Sequence, residues 1–395
     1  MGALTGYKIL DFSTLLPGPF ATMLISDMGA EVLCVNSPAN AKSTMNLASA
    51  EDLAPTDALL RRNKKQIVLD LKKRSAVQIV LELVKEYDIV LEQFRPGVMD
   101  KLGIGYEALK KANPNIIYCA LTGYGQTGPY SMRAGHDINY VARSGVMSFS
   151  GAPGELPPIL GVQMADQMSG SVNTIIGLLA AILHRERTGE GQYVDISMTD
   201  GMVSVTSAFL NGFIAGREKD PNRPVPAPGD GPLSGSSYYG YYRTKDDRFM
   251  SVGSIEPKFF AAACKALGHP EFANGSCSPT GEQMRSAFAQ SFSQKSQAEW
   301  IEIFSKIDAC VEPVMNLEEV ANDPQTAARG MITQVPIPGT DRCMTQPGNP
   351  IKMSKTPPEF RHTGYQSNFH TREVLKGLGY DEEKINALFA SKAVM

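Results

Sequence analysis

Apolar runs of strand length that alternate with helically spaced ones predict an α/β fold. It consists of a doubly wound, Rossmann-like large domain and a smaller α+β domain. Three features carry this expectation. The chain opens with a strand, turn, helix and strand. A proline-rich stretch over 216–237, holding five prolines, interrupts the pattern. Beyond it the texture changes to a hairpin followed by clustered helices. The large domain is assigned to 1–215, with 325–395 returning to it, the linker to 216–237 and the small domain to 238–324. A length of 395 residues favours two cores over one.

The elements follow in order. Residues 7–12 (YKILDF) read as a buried strand, broken by Pro17-Gly18-Pro19; 20–28 have helical spacing and 31–35 make a second strand. The dinucleotide fingerprint G-x-G-x-x-G is absent, so NAD is not inferred. Residues 42–57 are polar and irregular and read as a surface excursion. A strand at 66–71 precedes a helix at 75–87, which aligns Val77, Val80, Leu81 and Val84 on one face. The strand at 88–94 stops at Arg95-Pro96-Gly97, and 116–121 is one more short buried strand. It delivers the chain to a glycine-rich turn at 122–129 (TGYGQTGP) and then to 134–140 (AGHDINY).

After a glycine- and proline-rich loop at 151–158, residues 167–187 form the clearest helix, closed by Gly189 and Gly191. A strand at 193–198 and a helix at 202–214 complete the large domain. In the small domain, 238–243 and 249–252 flank Lys245-Asp246-Asp247 as a hairpin, and 256–267, 282–294 and 296–306 read as helices. Residues 336–358 are proline-rich and extended. The helical patterns at 371–378 and 381–390 are too short to fold alone, so they are expected to dock on the large domain.

Apolar residues make up 43% and charged residues 20%, the balance of a soluble globular protein. A net charge of −3 gives no reason to expect nucleic acid or a membrane surface as a partner. Six cysteines without C-x-x-C spacing argue against a zinc site and for buried thiols in a reducing compartment. No targeting leader or transmembrane-length apolar run is seen. The final Ser-Lys-Ala-Val-Met differs from the Ser-Lys-Leu peroxisomal address, so a cytoplasmic enzyme is expected.

Several residues could carry chemistry. His136 follows a glycine-rich turn that lets backbone approach a ligand, and Asp137 is its neighbour. Imidazole takes and gives protons near neutral pH, though a single His serves structure as often. Asp166 precedes the longest helix. It suits an N-cap, and equally a carboxylate beside free N–H groups. Two bases on opposite faces of an acidic C–H make a racemase or epimerase, whereas a lone nucleophilic carboxylate suits acyl transfer. Glu256, followed by Pro257, reads first as a helix start. Seven cations within 61–74 are either a solvated face or a phosphate-binding rim. Arg95, where a strand leaves the sheet, is either a turn residue or a ligand contact.

The runs GHDINY (135–140), PPILGVQMADQMSG (157–170) and HRERTGEGQYVDISMTDG (184–201) resemble the class III CoA-transferase family. So do LEQFRPG (91–97), TGYGQTGP (122–129), VGSIEPKFF (252–260) and DACVEPV (308–314). Within that family GHDINY and the IEP segment resemble the α-methylacyl-CoA racemase branch. The resemblance implies an acyl-CoA thioester substrate, with coenzyme A as part of the substrate and no metal or organic cofactor. It implies R/S interconversion of 2-methylacyl chains through an enolate, and an interlocked homodimer. His136 and Asp166 would be the acid/base pair, with Asp137 in the same cluster and Glu256 supporting His136 across the interface. CoA contacts would fall on Leu69, Leu71, Lys72, Gln93, Phe94, Arg95, Lys101 and the backbone of Gly135, Ile138, Asn139 and Tyr140. The pattern departs at Ser37, where relatives often carry an Arg. It departs again at Gln167-Met168-Ser169, which is closer to the transferases, so transfer through Asp166 is the alternative.

Overall fold

The computed structural model describes residues 1–152, 154–230, 233, 236–273 and 281–395. Part of the linker stretch and Cys277 lie outside them. The chain divides into two compact units. One is Met1–Ser144 with Gly161–Val205 and Pro324–Met395; the other is Gly145–Leu160 with Thr206–Asp323.

The first unit is built on a six-stranded sheet. Its strands are β1 (Lys8–Asp11), β2 (Glu31–Asn36), β3 (Lys65–Val68), β4 (Ile89–Glu92), β5 (Ile117–Thr122) and β6 (Tyr193–Ser197). They lie in the order β3-β2-β1-β4-β5-β6 and every pairing is parallel. β4 and β5 are buried along their whole length, as strands covered on both faces must be. The strand order reverses between β1 and β4, and in such sheets the crevice beyond the carboxyl ends at the reversal is where ligands bind. The predicted mixed α/β fold with a parallel central sheet is therefore present.

The C-terminal helices Thr371–Gly377 and Glu382–Ala390 put Val374, Leu375, Ile385 and Leu388 into the same core as Leu33, Ile79 and Val90. They are short, and this apolar burial is what supports them.

Four stretches differ from the sequence-based expectation. Residues 42–57 are not irregular: the helices Pro38–Met45 and Pro55–Leu60 occupy much of that region. Each starts with a proline at its first position, and Ser37 accepts from Asn40 N, so local capping rather than apolar periodicity makes them. The helix expected over 167–187 begins as a wide π-helical turn, Ala165–Ser171, before the regular Val172–Thr188 helix. The helix expected at 202–214 is two, Met198–Val205 and Ser207–Lys219, the second running into the start of the linker stretch. The extended region at 336–358 contains one arm of an antiparallel hairpin, β10 (Ile332–Pro336) with β11 (Cys343–Pro347).

In the second unit, β7 (Tyr239–Arg243), β8 (Phe249–Gly253) and β9 (Val311–Pro313) form an antiparallel sheet, with the expected hairpin between the first two. Helices Pro257–Ala266, Gly281–Phe292 and Gln297–Phe304 close its core around Tyr242, Phe288, Phe292 and Trp300. Trp300 Nε1 donates to the Phe292 carbonyl at 2.9 Å, which satisfies its one polar atom inside that core. No helix among the described residues is long and apolar enough to cross a membrane.

Two of the seven clustered cations are structural. Arg62 is fully buried and holds Asp27 through two parallel bonds, 3.0 and 2.7 Å, and it also donates to the Pro347 carbonyl at 2.8 Å. Lys64 is buried as well, donating to the Pro19 carbonyl (2.8 Å) and Thr22 Oγ1 (2.7 Å). Replacing Arg62 by Leu leaves the buried Asp27 carboxylate with only the neutral amides of Asn63 (2.9 Å) and Asn349 (3.3 Å) as hydrogen-bond donors, so a loss of about 3–5 kcal/mol is expected from urea unfolding. The exposed pair Arg372–Glu382, by contrast, is expected to contribute little, since solvent screens it. Equal losses for the two pairs would show that Asp27 finds other partners.

Candidate active site

The site starts where β5 ends. Gly123 directly follows it, and its carbonyl accepts from Thr199 N (3.0 Å) and Thr199 Oγ1 (2.7 Å), which pins the glycine-rich turn to the Met198–Val205 helix. The turn loops back around the Tyr140 ring. Tyr140 Oη donates to the Gly135 carbonyl at 2.5 Å, and a Cβ on Gly135 would lie 2.6 Å from the ring. Only glycine fits there. This packing fixes the start of the Asp137–Arg143 helix, with His136 at its N-cap in extended backbone (φ −126°, ψ 174°). His136 N donates to Asn139 Oδ1 at 3.0 Å, while the imidazole itself is exposed.

Asp166 lies in the first turn of the π-helical segment. Its N–H has no partner within the helix; it donates instead to Asp137 Oδ1 at 2.9 Å. The half-buried Asp166 carboxyl is pushed up to about 6. Burial does most of this, the negative charge of Asp137 adds to it, and His136 acts in the opposite direction. Residues distant in sequence thus form one charge cluster: an exposed imidazole, an ionisable carboxyl of raised pKa, and a carboxylate that both binds the second group's backbone and repels its charge.

The end of β4 comes close. Glu92 is buried and raised to about 7, chiefly by burial, and its Oε2 accepts from Phe94 N at 2.7 Å. Gln93 Oε1 accepts from Gly18 N at 3.2 Å, stitching the turn after β4 to the first turn of the Pro17–Asp27 helix that follows β1. The two strand ends at the point of reversal are therefore tied together. The exposed Arg95 lowers the pKa of the Tyr140 phenol, which burial and the Tyr124 hydroxyl, with Asp166 and Asp137, push up to about 12.

The other sequence-derived candidates are placed as follows. Leu69 is wholly buried in the core and offers a ligand no side-chain surface; Leu71 is half-buried and packs against that core. Phe94 also packs there. Lys72, Lys101, Ile138 and Asn139 are exposed. The reading of 61–74 as a single phosphate rim is corrected. Besides the buried Arg62 and Lys64, Arg61 donates to Ser367 Oγ (2.9 Å), Lys65 pairs with Glu31 (3.3 Å) and Glu373 (3.1 Å), and Lys73 bonds the Ser391 carbonyl. Among the described residues only the side chains of Lys72 and Arg74 in that run lack such a partner. Glu256 belongs to the second unit. It is exposed at the N-cap of Pro257–Ala266, its carbonyl accepting from Phe259 N and Phe260 N at 3.0 Å. The glycine-rich turn also lines a cavity of about 320 Å³ with Tyr130, Arg143 and Asp195; neither His136 nor Asp166 borders it.

Sequence reasoning gave no role to Glu92 or Ser171. Glu92 follows an apolar strand run and Ser171 sits among small and polar residues, and only the tertiary contacts single them out.

Asp137→Asn removes one anion and leaves a side-chain oxygen able to accept from Asp166 N. The Asp166 carboxyl is then expected to titrate below about 6 while burial still holds it above an ordinary aspartate. A ¹³C-carboxyl NMR titration reads this directly, and an unmoved midpoint would mean that the charge of Asp137 is not felt.

Known proteins bear on what this cluster belongs to. The chain is 35% identical over 396 residues to α-methylacyl-CoA racemase from Homo sapiens, with 99% of this chain and 97% of that one matched. It is 32% identical to acetyl-CoA:oxalate CoA-transferase from Acetobacter aceti, over 89% of this chain and 90% of that one. A CaiB/BaiF family protein from Brucella suis has a similar structure, with a TM-score of 0.81 and 26% identity, over 95% of this chain and 99% of that one. With the pattern of CoA-transferase family III matching residues 4–371 as well, the chain is an enzyme of that family, in which racemases and CoA-transferases are both found.

Proposed function

We propose that the protein is an α-methylacyl-CoA racemase. It interconverts the R and S forms of 2-methylacyl-CoA thioesters by moving one proton off and another onto the same carbon. The thioester carbonyl acidifies the α-hydrogen. One of His136 and Asp166 removes it from one face, the enolate forms, and the other returns a proton from the opposite face. The observation that carries this reading is the convergence of His136, Asp137 and Asp166 into one charge cluster.

The raised Asp166 supports it further. A racemase runs equally in both directions, so each base must serve as acid in one and as base in the other. An ordinary Asp, near ~4, is a poor donor at neutral pH; a carboxyl raised to about 6 keeps a larger protonated fraction there and can serve as acid as well as base. Arg95, with Lys72 and Lys101, supplies exposed cations for the phosphates of coenzyme A. Glu256 enters the proposal as the group that supports His136 from a second copy of the chain in an interlocked homodimer. The chemistry uses no metal or organic cofactor.

A second reading is transfer of CoA between carboxylic acids, with Asp166 as nucleophile forming an acyl-anhydride. What favours it is the near-equal identity to transferases and the Gln167-Met168-Ser169 run. One substitution separates the two. In D2O the wild type is expected to exchange the α-hydrogen of a 2-methylacyl-CoA, and His136→Ala to lose roughly 10²–10⁴-fold of that rate. Absence of deuterium uptake by folded wild type, with hydroxylamine-trapped acyl at Asp166 and transfer surviving in His136→Ala, would decide for the transferase.

A further inference from the structure

The Asp166 backbone has a side-chain partner at both its N–H and its carbonyl. Its N–H goes to Asp137, as described above. Its carbonyl faces Ser171, whose single O–H donates chiefly to the Pro17 carbonyl at 2.6 Å and is shared more weakly with the Asp166 carbonyl at 3.1 Å. Ser171 is fully buried, so this hydroxyl has no water to fall back on. The segment between them is the π-helical turn, in which the Val172 N–H bonds the Gln167 carbonyl five residues back. Such turns are rare and are found frequently at functional sites. The Ser171 hydroxyl, at the end of this turn, ties it to the Pro17 carbonyl of another helix.

Pro17 is also not an arbitrary partner. It begins the helix after β1. With prolines at 17 and 19, Gly18 supplies the only N–H of the first three positions, and that donor is taken by Gln93 at the end of β4. A continuous polar path therefore runs from the turn that carries Arg95, through the Gln93–Gly18 bond and Pro17, to Ser171 and the Asp166 backbone. We propose that Ser171 is a positioning residue for Asp166. Its hydroxyl, anchored on Pro17, holds the wide turn so that the carboxyl stays half-buried beside Asp137 and His136, and it couples that carboxyl to the strand-end turn of β4. This rests on the reading that Asp166 is the ionisable group of the site. It does not depend on which reaction that group performs.

Ser169 provides the internal comparison. It lies in the same turn, is equally buried, and donates to the Met198 carbonyl at 2.5 Å, but it does not touch Asp166. The pH dependence of carbodiimide labelling at Asp166, read by mass spectrometry on the full-length protein, reports the protonated carboxyl in any folded preparation. In Ser171→Ala its midpoint is expected to fall from about 6 toward that of an ordinary aspartate as the turn relaxes and the carboxyl gains water. In Ser169→Ala it is expected to stay. The turnover rate of Ser171→Ala is expected to drop about tenfold with KM for the acyl-CoA held, the rate equivalent of one misplaced hydrogen bond.

A Ser171→Ala midpoint equal to wild type would overturn the assignment, and so would an equal shift in Ser169→Ala. Should Ser171→Ala not fold, Ser171→Gly removes the same hydroxyl without adding bulk, and an unshifted midpoint there counts the same way. If the wild type shows no α-hydrogen exchange and the midpoint still moves in Ser171→Ala, the racemase reading fails and the positioning role of Ser171 stands.

Discussion

The hydrogen bond from the Asp166 N–H to the Asp137 carboxylate is the contact on which the candidate site depends. It joins two parts of the long connection between β5 and β6, 29 residues apart along the chain, and it does two things at once. As an acceptor, Asp137 satisfies a helix-start donor that would otherwise need a capping side chain or water. As an anion, it raises the cost of ionising Asp166. Position and proton affinity are set by one group. The neighbouring imidazole stays exposed, because the helix that follows takes hold of His136 through its backbone alone.

That contact is possible because of the sheet. Parallel strands must all release their loops at the same edge, and the order β3-β2-β1-β4-β5-β6 opens a crevice between the ends of β1 and β4. β4 delivers Gln93, Phe94 and Arg95 to it. β5 delivers the glycine-rich turn and, through the wrapped Tyr140 ring, His136 and Asp137. The Gln93–Gly18 bond ties the ends of β1 and β4 together. His136, Asp137 and the exposed Arg95 thereby follow the ends of two strands buried along their whole length.

Charge is used in two different ways in the first unit. Arg62 and Lys64 are sealed inside, where removing either partner of a pair costs far more than the pair contributes. Lys72, Arg95 and Lys101 are left exposed. The seven cations of residues 61–74 look alike in the sequence because composition does not record depth. β3 carries Lys65 at the edge of the sheet, while the residues just before it pass beneath the helix after β1 and leave their charged groups inside.

Much of the fold was legible in the chain itself. Apolar runs of strand length marked the six parallel strands, and the change of texture after the proline-rich stretch marked the second sheet, since burial on both faces or on one leaves different periodicities. His136, Asp137 and Asp166 could be picked out as candidates in the chain, with a structural reading of His136 and Asp166 standing equally beside the chemical one. What the residues could not say is which of them meet. The widening of the helix at 165–171, the pin from Ser171 to Pro17, the burial of Leu69 and Arg62 and the raised Asp166 all arise from contacts between segments far apart along the chain. A local pattern encodes the propensity of its own backbone, whereas desolvation and the approach of a distant charge exist only once the sheet has brought its strand ends together.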